Sequence, residues 1–82
     1  MERKEIFEIL NEIFREVFDD EEIVLTDETT ADDIEDWDSL EQINLVVACE
    51  KRFNVKFEMK EIQLLKNVGE MVDCILVKKK KQ

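Results

Sequence analysis

The run DDIEDWDSLEQINLVV, residues 32–47, places a hydroxyl, Ser39, where acid gives way to an apolar periodicity. A serine hydroxyl acts as a nucleophile only beside a base, and the chain contains no His. Ser39 also lacks the G-x-S-x-G turn that lifts a nucleophile above a sheet. The one glycine, Gly69, makes no glycine-rich loop for phosphates. Cys49 and Cys74 lie far apart inside apolar helical patterns and read as buried small hydrophobes; without His they form no zinc site. The acids between 19 and 41 raise calcium, with the best frame taking Asp27, Thr29, Ala31, Asp33, Glu35 and Asp38. That frame fails because Asp32 stands where the sharp turn needs glycine and Ala31 has no ligating atom. Loose attraction of divalent ions is expected, and no specific metal site. These residues assemble no catalytic centre, so the chain is read as not being an enzyme. Ser39 is left to begin a helix or to present its hydroxyl. Asp38 with Glu41, and Ser39 with Gln42, both have capping-box spacing, so either residue can start the helix.

The elements that must position this serine follow from composition and periodicity. Eighty-two residues make one domain at most, and 44% apolar content supports a small core. With no Pro and a single Gly, the turns of a strand-rich fold are missing, so an all-α bundle is expected. Four helices are read. The first covers about 2–18, with Ile6, Leu10, Ile13 and Val17 widened by Phe7, Phe14 and Phe18 into a core stripe. A long acidic loop over 19–37 is pinned by Ile23 and Ile34, with Thr29 or Thr30 capping a short turn. The second helix runs from Ser39 to Phe53, with Leu40, Ile43, Val46, Val47 and Phe53 at helical spacings and Asn54 ending it. Val55 to Phe57 is a short crossing. A brief third helix fits EMKEIQLL, with Ile62, Leu64 and Leu65 as its apolar residues. Asn67 caps a fourth over Val68 to Val77, with Val68, Met71, Val72, Ile75 and Leu76 inward, and residues 78–82 read as a flexible basic tail.

The net charge of −10 disfavours nucleic acid and favours basic protein partners reached by electrostatic steering. No apolar run is long enough to cross a membrane. The N-terminal MERKEIFEIL lacks the apolar centre and cleavage site of a secretory signal, so a cytoplasmic protein is expected, and it is read as a monomer.

The segment DWDSLEQINLVVACEKRFNVKF, residues 36–57, resembles the prosthetic-group segment of the acyl carrier protein family. In that family an Asp-Ser-Leu triplet opens the second of four helices after a long loop. The resemblance covers nearly the whole chain and implies a small four-helix bundle with a short third helix. It implies that Ser39 carries phosphopantetheine, donated from coenzyme A by a phosphopantetheinyl transferase, with Asp38 and Leu40 flanking it. It implies that acyl groups ride on the arm as thioesters and pass to acyl-loading and acyl-processing enzymes with basic docking patches. Glu35, Asp36, Asp38, Leu40, Glu41 and Val47 are the expected recognition residues, and Ile43, Val46, Ile62 and Leu65 the expected walls sheltering the acyl chain.

Two departures from the family pattern bear on cargo. Trp37 replaces the small residue or Gly common before the triplet, and Asn44, Lys51 and Arg52 replace acid further along the second helix. A carrier for fatty-acid synthesis, a specialised acyl or polyketide carrier, and an aminoacyl or peptidyl carrier all remain open at this point. So does an unmodified acidic adaptor that binds a basic partner.

Overall fold

The computed structural model describes residues 1–81, so Gln82, the last residue of the expected tail, lies outside the described residues. Four helices follow in order: α1 Arg3–Val17, α2 Ser39–Phe53, α3 Met59–Leu64 and α4 Val68–Lys80. There is no strand among the described residues. The all-α expectation and the boundaries of α2 agree with this architecture.

Local chemistry explains the ends. The Glu2 amide donates to Glu5 Oε1 at 3.1 Å at the start of α1. Asp38 Oδ1 accepts from the Glu41 amide at 2.9 Å, and Asn67 Oδ1 from the Glu70 amide at 2.8 Å, so short polar side chains satisfy first-turn donors. Asn54 ends α2 in the left-handed region at φ 56°, a conformation Asn tolerates better than most residues.

Helix α1 packs against both α2 and α4. The core joins Ile6, Leu10, Ile13 and Phe14 of α1, Leu45, Cys49 and Phe53 of α2, and Val68, Met71, Val72 and Ile75 of α4, with Leu25 and Val55 from the connections. On α2, Leu40, Ile43 and Val47 face solvent at 66%, 60% and 43% exposure, while Leu45 and Cys49 turn inward, as expected for Cys49. Helix α2 bears apolar groups on two stripes, and α1 can cover only one of them. A sequence reading changes at the C-terminus. Residues 78–80 are not a flexible tail but the last turn of α4, where Lys78 Nζ donates to Glu61 Oε1 at 2.8 Å and Lys79 Nζ to the Phe53 carbonyl at 2.9 Å. Cys49 is buried, and burial pushes its thiol up to about 12. Cys74 is only half-buried.

The long loop is folded onto the bundle by its backbone. Leu25 N donates to Asn11 Oδ1 at 2.9 Å and Arg15 Nε to the Ile23 carbonyl at 2.8 Å. The Thr29 hydroxyl accepts from the Thr26 amide at 2.9 Å, and the Thr30 hydroxyl from the Asp32 amide at 3.2 Å, the short-turn role expected of them. Asp27, first residue of the rejected calcium frame, instead meets Arg3 Nη2 at 2.6 Å, which holds its carboxyl below the usual range. Among the described residues no three potential ligands cluster for a metal ion.

Gly69 joins the loop to α4. Its amide donates to the Asp27 carbonyl at 3.0 Å, beside Val68 N to the Thr29 carbonyl at 2.8 Å. A Cβ at Gly69 would lie 2.7 Å from Asp27 Oδ1 and 2.9 Å from the Asp27 carbonyl oxygen. The carbonyl cannot swing aside as a side chain can. Gly69→Ala is therefore expected to lose about 1–2 kcal/mol net, overpacking outweighing the better helix propensity of alanine. Thermal unfolding checks it; a melting temperature at or above that of the native chain would refute the clash.

Candidate functional site

The first turn of α2 is built by a division of labour that sequence left undecided. Asp38 is the cap: its side chain accepts from Glu41 N at 2.9 Å and its carbonyl accepts from Gln42 N at 2.9 Å. Ser39 is the first helical residue, exposed, and its hydroxyl bonds to no other described residue. The capping role is therefore filled without it. The backbone N–H groups of a first helical turn have no intrahelical acceptors, and the dipole makes that end welcoming to an anion.

Trp37 fixes the approach to this turn. Its indole N–H donates to Gln42 Oε1 at 2.6 Å, so the second expected capping-box residue clasps the tryptophan instead of a serine amide. Its ring meets Phe14 edge-on at 5.2 Å between centroids and lies 6.4 Å from Phe18. Edge-to-face contacts with a half-buried ring restrict its orientation. The loop thus reaches Ser39 from a fixed direction, set by the core of α1.

Beside Ser39 opens a groove of about 460 Å³, lined by Ala31, Trp37, Asp38, Gln42, Ile43, Ile62 and Gln63 together with Ser39 itself. Two of the expected walls, Ile43 and Ile62, are there. The other two are not: Val46 is buried, and Leu65 packs against the core from the far end of α3. Gln42 and Gln63 were missed, because a glutamine gives no periodic signal. The signal for Gln42 was the tryptophan itself, whose N–H needs an acceptor when buried.

The remaining expected residues sort by exposure. Glu35, Asp36 and Asp38 are exposed ahead of the helix, and Glu41 is half-buried within its first turn. Leu40, Ile43 and Val47 form an exposed apolar stripe. Asn44 Nδ2 donates to Glu41 Oε1 at 3.0 Å, which ties that carboxylate to the helix surface. Loss of the cap isolates its contribution: Asp38→Ala is expected to cost about 1 kcal/mol and to fray the first turn of α2. Amide exchange at Glu41 and Gln42 measures this, and unchanged protection there would show that the cap is unimportant.

Comparison with known proteins places this geometry. The family described as "Phosphopantetheine attachment site" matches residues 8–75. An acyl carrier protein of Coprothermobacter proteolyticus is 32% identical over 75 residues, covering 92% of each chain. One from Petrotoga mobilis is 36% identical over 76 residues, covering 92% of this chain and 88% of its own. The solution structure of holo acyl carrier protein from Geobacter metallireducens superposes with a TM-score of 0.87 at 48% identity, covering 92% of this chain and 86% of that one. The resemblance that began with an Asp-Ser-Leu triplet thus extends through α1 and α4 as well, and the chain belongs to the acyl carrier protein family, whose prosthetic group is phosphopantetheine.

Proposed function

We propose that Ser39 is the attachment point for phosphopantetheine and that the protein carries acyl intermediates between partner enzymes. The observation that carries this reading is the exposed, unbonded hydroxyl of Ser39 at the first turn of α2, with Asp38 doing the capping. The surroundings fit the group. A phosphodiester on Ser39 would meet first-turn N–H groups and the positive end of the helix dipole. The groove beside it presents Trp37, Ile43 and Ile62 to an apolar chain. When bound, phosphopantetheine supplies a thiol that holds an acyl group as a thioester. The chain's own residues then orient and present it, and no base is required of them.

Partners fit the same face. Leu40, Ile43 and Val47 offer apolar contact, and Glu35, Asp36, Asp38 and Glu41 rim it with acid for basic docking patches. A phosphopantetheinyl transferase and acyl-loading or acyl-processing enzymes are the partners of this reading, in the cytoplasm, with the protein acting as a monomer. Beyond the first turn the face is less acidic, with Asn44 and Lys51 exposed. That favours a specialised acyl or polyketide pathway over the housekeeping fatty-acid synthase. Incubation with coenzyme A, magnesium and a broad-specificity transferase is expected to add one phosphopantetheine, read by intact mass. No gain, with a control carrier modified in parallel, would leave the protein an unmodified acidic adaptor.

A further inference from the structure

Helix α3 supplies the outer wall of the groove beside Ser39, through Ile62 and Gln63. Yet α3 is weakly seated. None of its six residues is fully buried, and none packs against the core cluster. Among the described residues, apolar contact with the core cluster comes from its flanks, Phe57 before it and Leu65 after it. Between those anchors, α3 is tied to α4 by polar contacts.

The polar tie converges on one carboxylate. Glu61 Oε1 accepts from the Glu58 amide at 2.7 Å, which caps α3 itself. The same oxygen accepts from Lys78 Nζ of α4 at 2.8 Å, and Oε2 lies 3.7 Å from the Cys74 sulfur, one turn earlier on α4. Lys78 also lies over the Phe57 ring, 5.3 Å from its centroid, so it grips the residue leading into α3 as well. At 20% and 29% side-chain exposure, Lys78 and Glu61 form the most enclosed ion pair among the described residues. The hydrogen bond from Lys78 holds the Glu61 carboxyl below the ordinary range.

We infer that Lys78 is the latch that fixes α3 against α4 and thereby sets the width of the groove beside Ser39. This gives the first lysine of the terminal run a positioning role toward the acyl chain, and in that respect it rests on the carrier reading above. The adjacent residue Ile62 reaches the groove, so motion released at Glu61 passes directly to its wall. With the latch formed, the wall is fixed and a chain lying in the groove is sheltered. With it broken, α3 pivots between Phe57 and Leu65 and shelter is lost.

Amide exchange of the 82-residue chain without its prosthetic group tests the latch by itself. In Lys78→Met, the hydrogen-bonded amides of residues 61–64 are expected to exchange about fivefold faster, the scale of one partly exposed ion pair, while the protected amides of α1 keep their native rates. Lys78→Arg, which keeps the charge, is expected to restore slow exchange. Native exchange in Lys78→Met, or an acceleration spread equally over all four helices, would overturn the proposal. The second arm uses the acylated holo protein. Hydroxylamine cleaves the thioester, releasing the acyl group as its hydroxamate and freeing the thiol, and cleavage is expected to be about threefold faster in Lys78→Met than in the native chain, within the loss of one such pair. Equal cleavage rates would overturn the part of the inference that concerns the groove. Failure of Ser39 to take up phosphopantetheine would remove the carrier reading while leaving the exchange result to decide the latch.

Discussion

Ser39→Ala is expected to take up no phosphopantetheine at all, while unfolding within about 0.5 kcal/mol of the native chain. The two halves of that statement come from one geometric fact. A structural serine at a helix start accepts a hydrogen bond from the first turn, and its replacement costs about 1 kcal/mol. Here Asp38 already accepts from Glu41 N, and the Ser39 hydroxyl has no described partner. Removing an exposed, unbonded hydroxyl from a helical position leaves no orphaned donor or acceptor behind, and alanine is the better helix former. On the proposed reading, in contrast, modification requires the Ser39 oxygen itself. Intact mass and thermal melting are the paired measurements. A marked drop in stability would make Ser39 a structural residue, and residual modification would place the attachment elsewhere.

The second large effect lies away from the site. Phe14→Ala is expected to cost about 3–5 kcal/mol, the usual loss for truncating a fully buried aromatic ring. Domains of this kind are stable by only about 5–15 kcal/mol, so the variant sits near the edge of folding. Phe14 is fully buried in α1 and meets Trp37 edge-on at 5.2 Å and Phe18 at 5.9 Å. Its removal therefore empties the core and unseats the residue that aims the loop at Ser39. The chain has a single tryptophan, so Trp37 emission reports that unseating directly, shifting to the red as the indole gains water. Phe7 provides the contrast. It is half-buried at the margin, under Arg3, and Phe7→Ala is expected to cost clearly less. Equal losses at the two positions, or native Trp37 emission in Phe14→Ala, would mean that the aromatic cluster does not transmit core packing to the loop.

Much of this arrangement was legible before any coordinates. The start of α2 was marked by Asp38 and Ser39, its end by Asn54, and the start of α4 by Asn67, because caps are local chemistry written within a turn of the helix end. The stripe of α1 was legible too, since its apolar residues lie on one face only. Helix α2 was harder. Leu40, Ile43 and Val47 repeat at helical spacing as convincingly as Leu45, Cys49 and Phe53 do. Periodicity says that a stripe exists without saying what covers it, so a surface meant for partners and a surface meant for the core look alike. The lysines at 78–80 were misread for a related reason. A run of like charge reads as a solvated tail, and the partners that hold it in α4, Glu61 and the Phe53 carbonyl, come from elements far away in sequence.

The order of residues thus determined by itself that this is an acidic four-helix chain with no His and with an Asp-Ser-Leu triplet at a helix start. Those are matters of composition, spacing and capping, all short in range. Tertiary structure alone decided that Ile43 joins Leu40 and Val47 on the exposed stripe of α2, which residue caps the helix so that Ser39 is left free, and that Trp37, Gln42 and Gln63 help frame the groove beside it. Each of these depends on which surfaces the bundle brings together, and burial is settled only when a second element arrives to exclude the water.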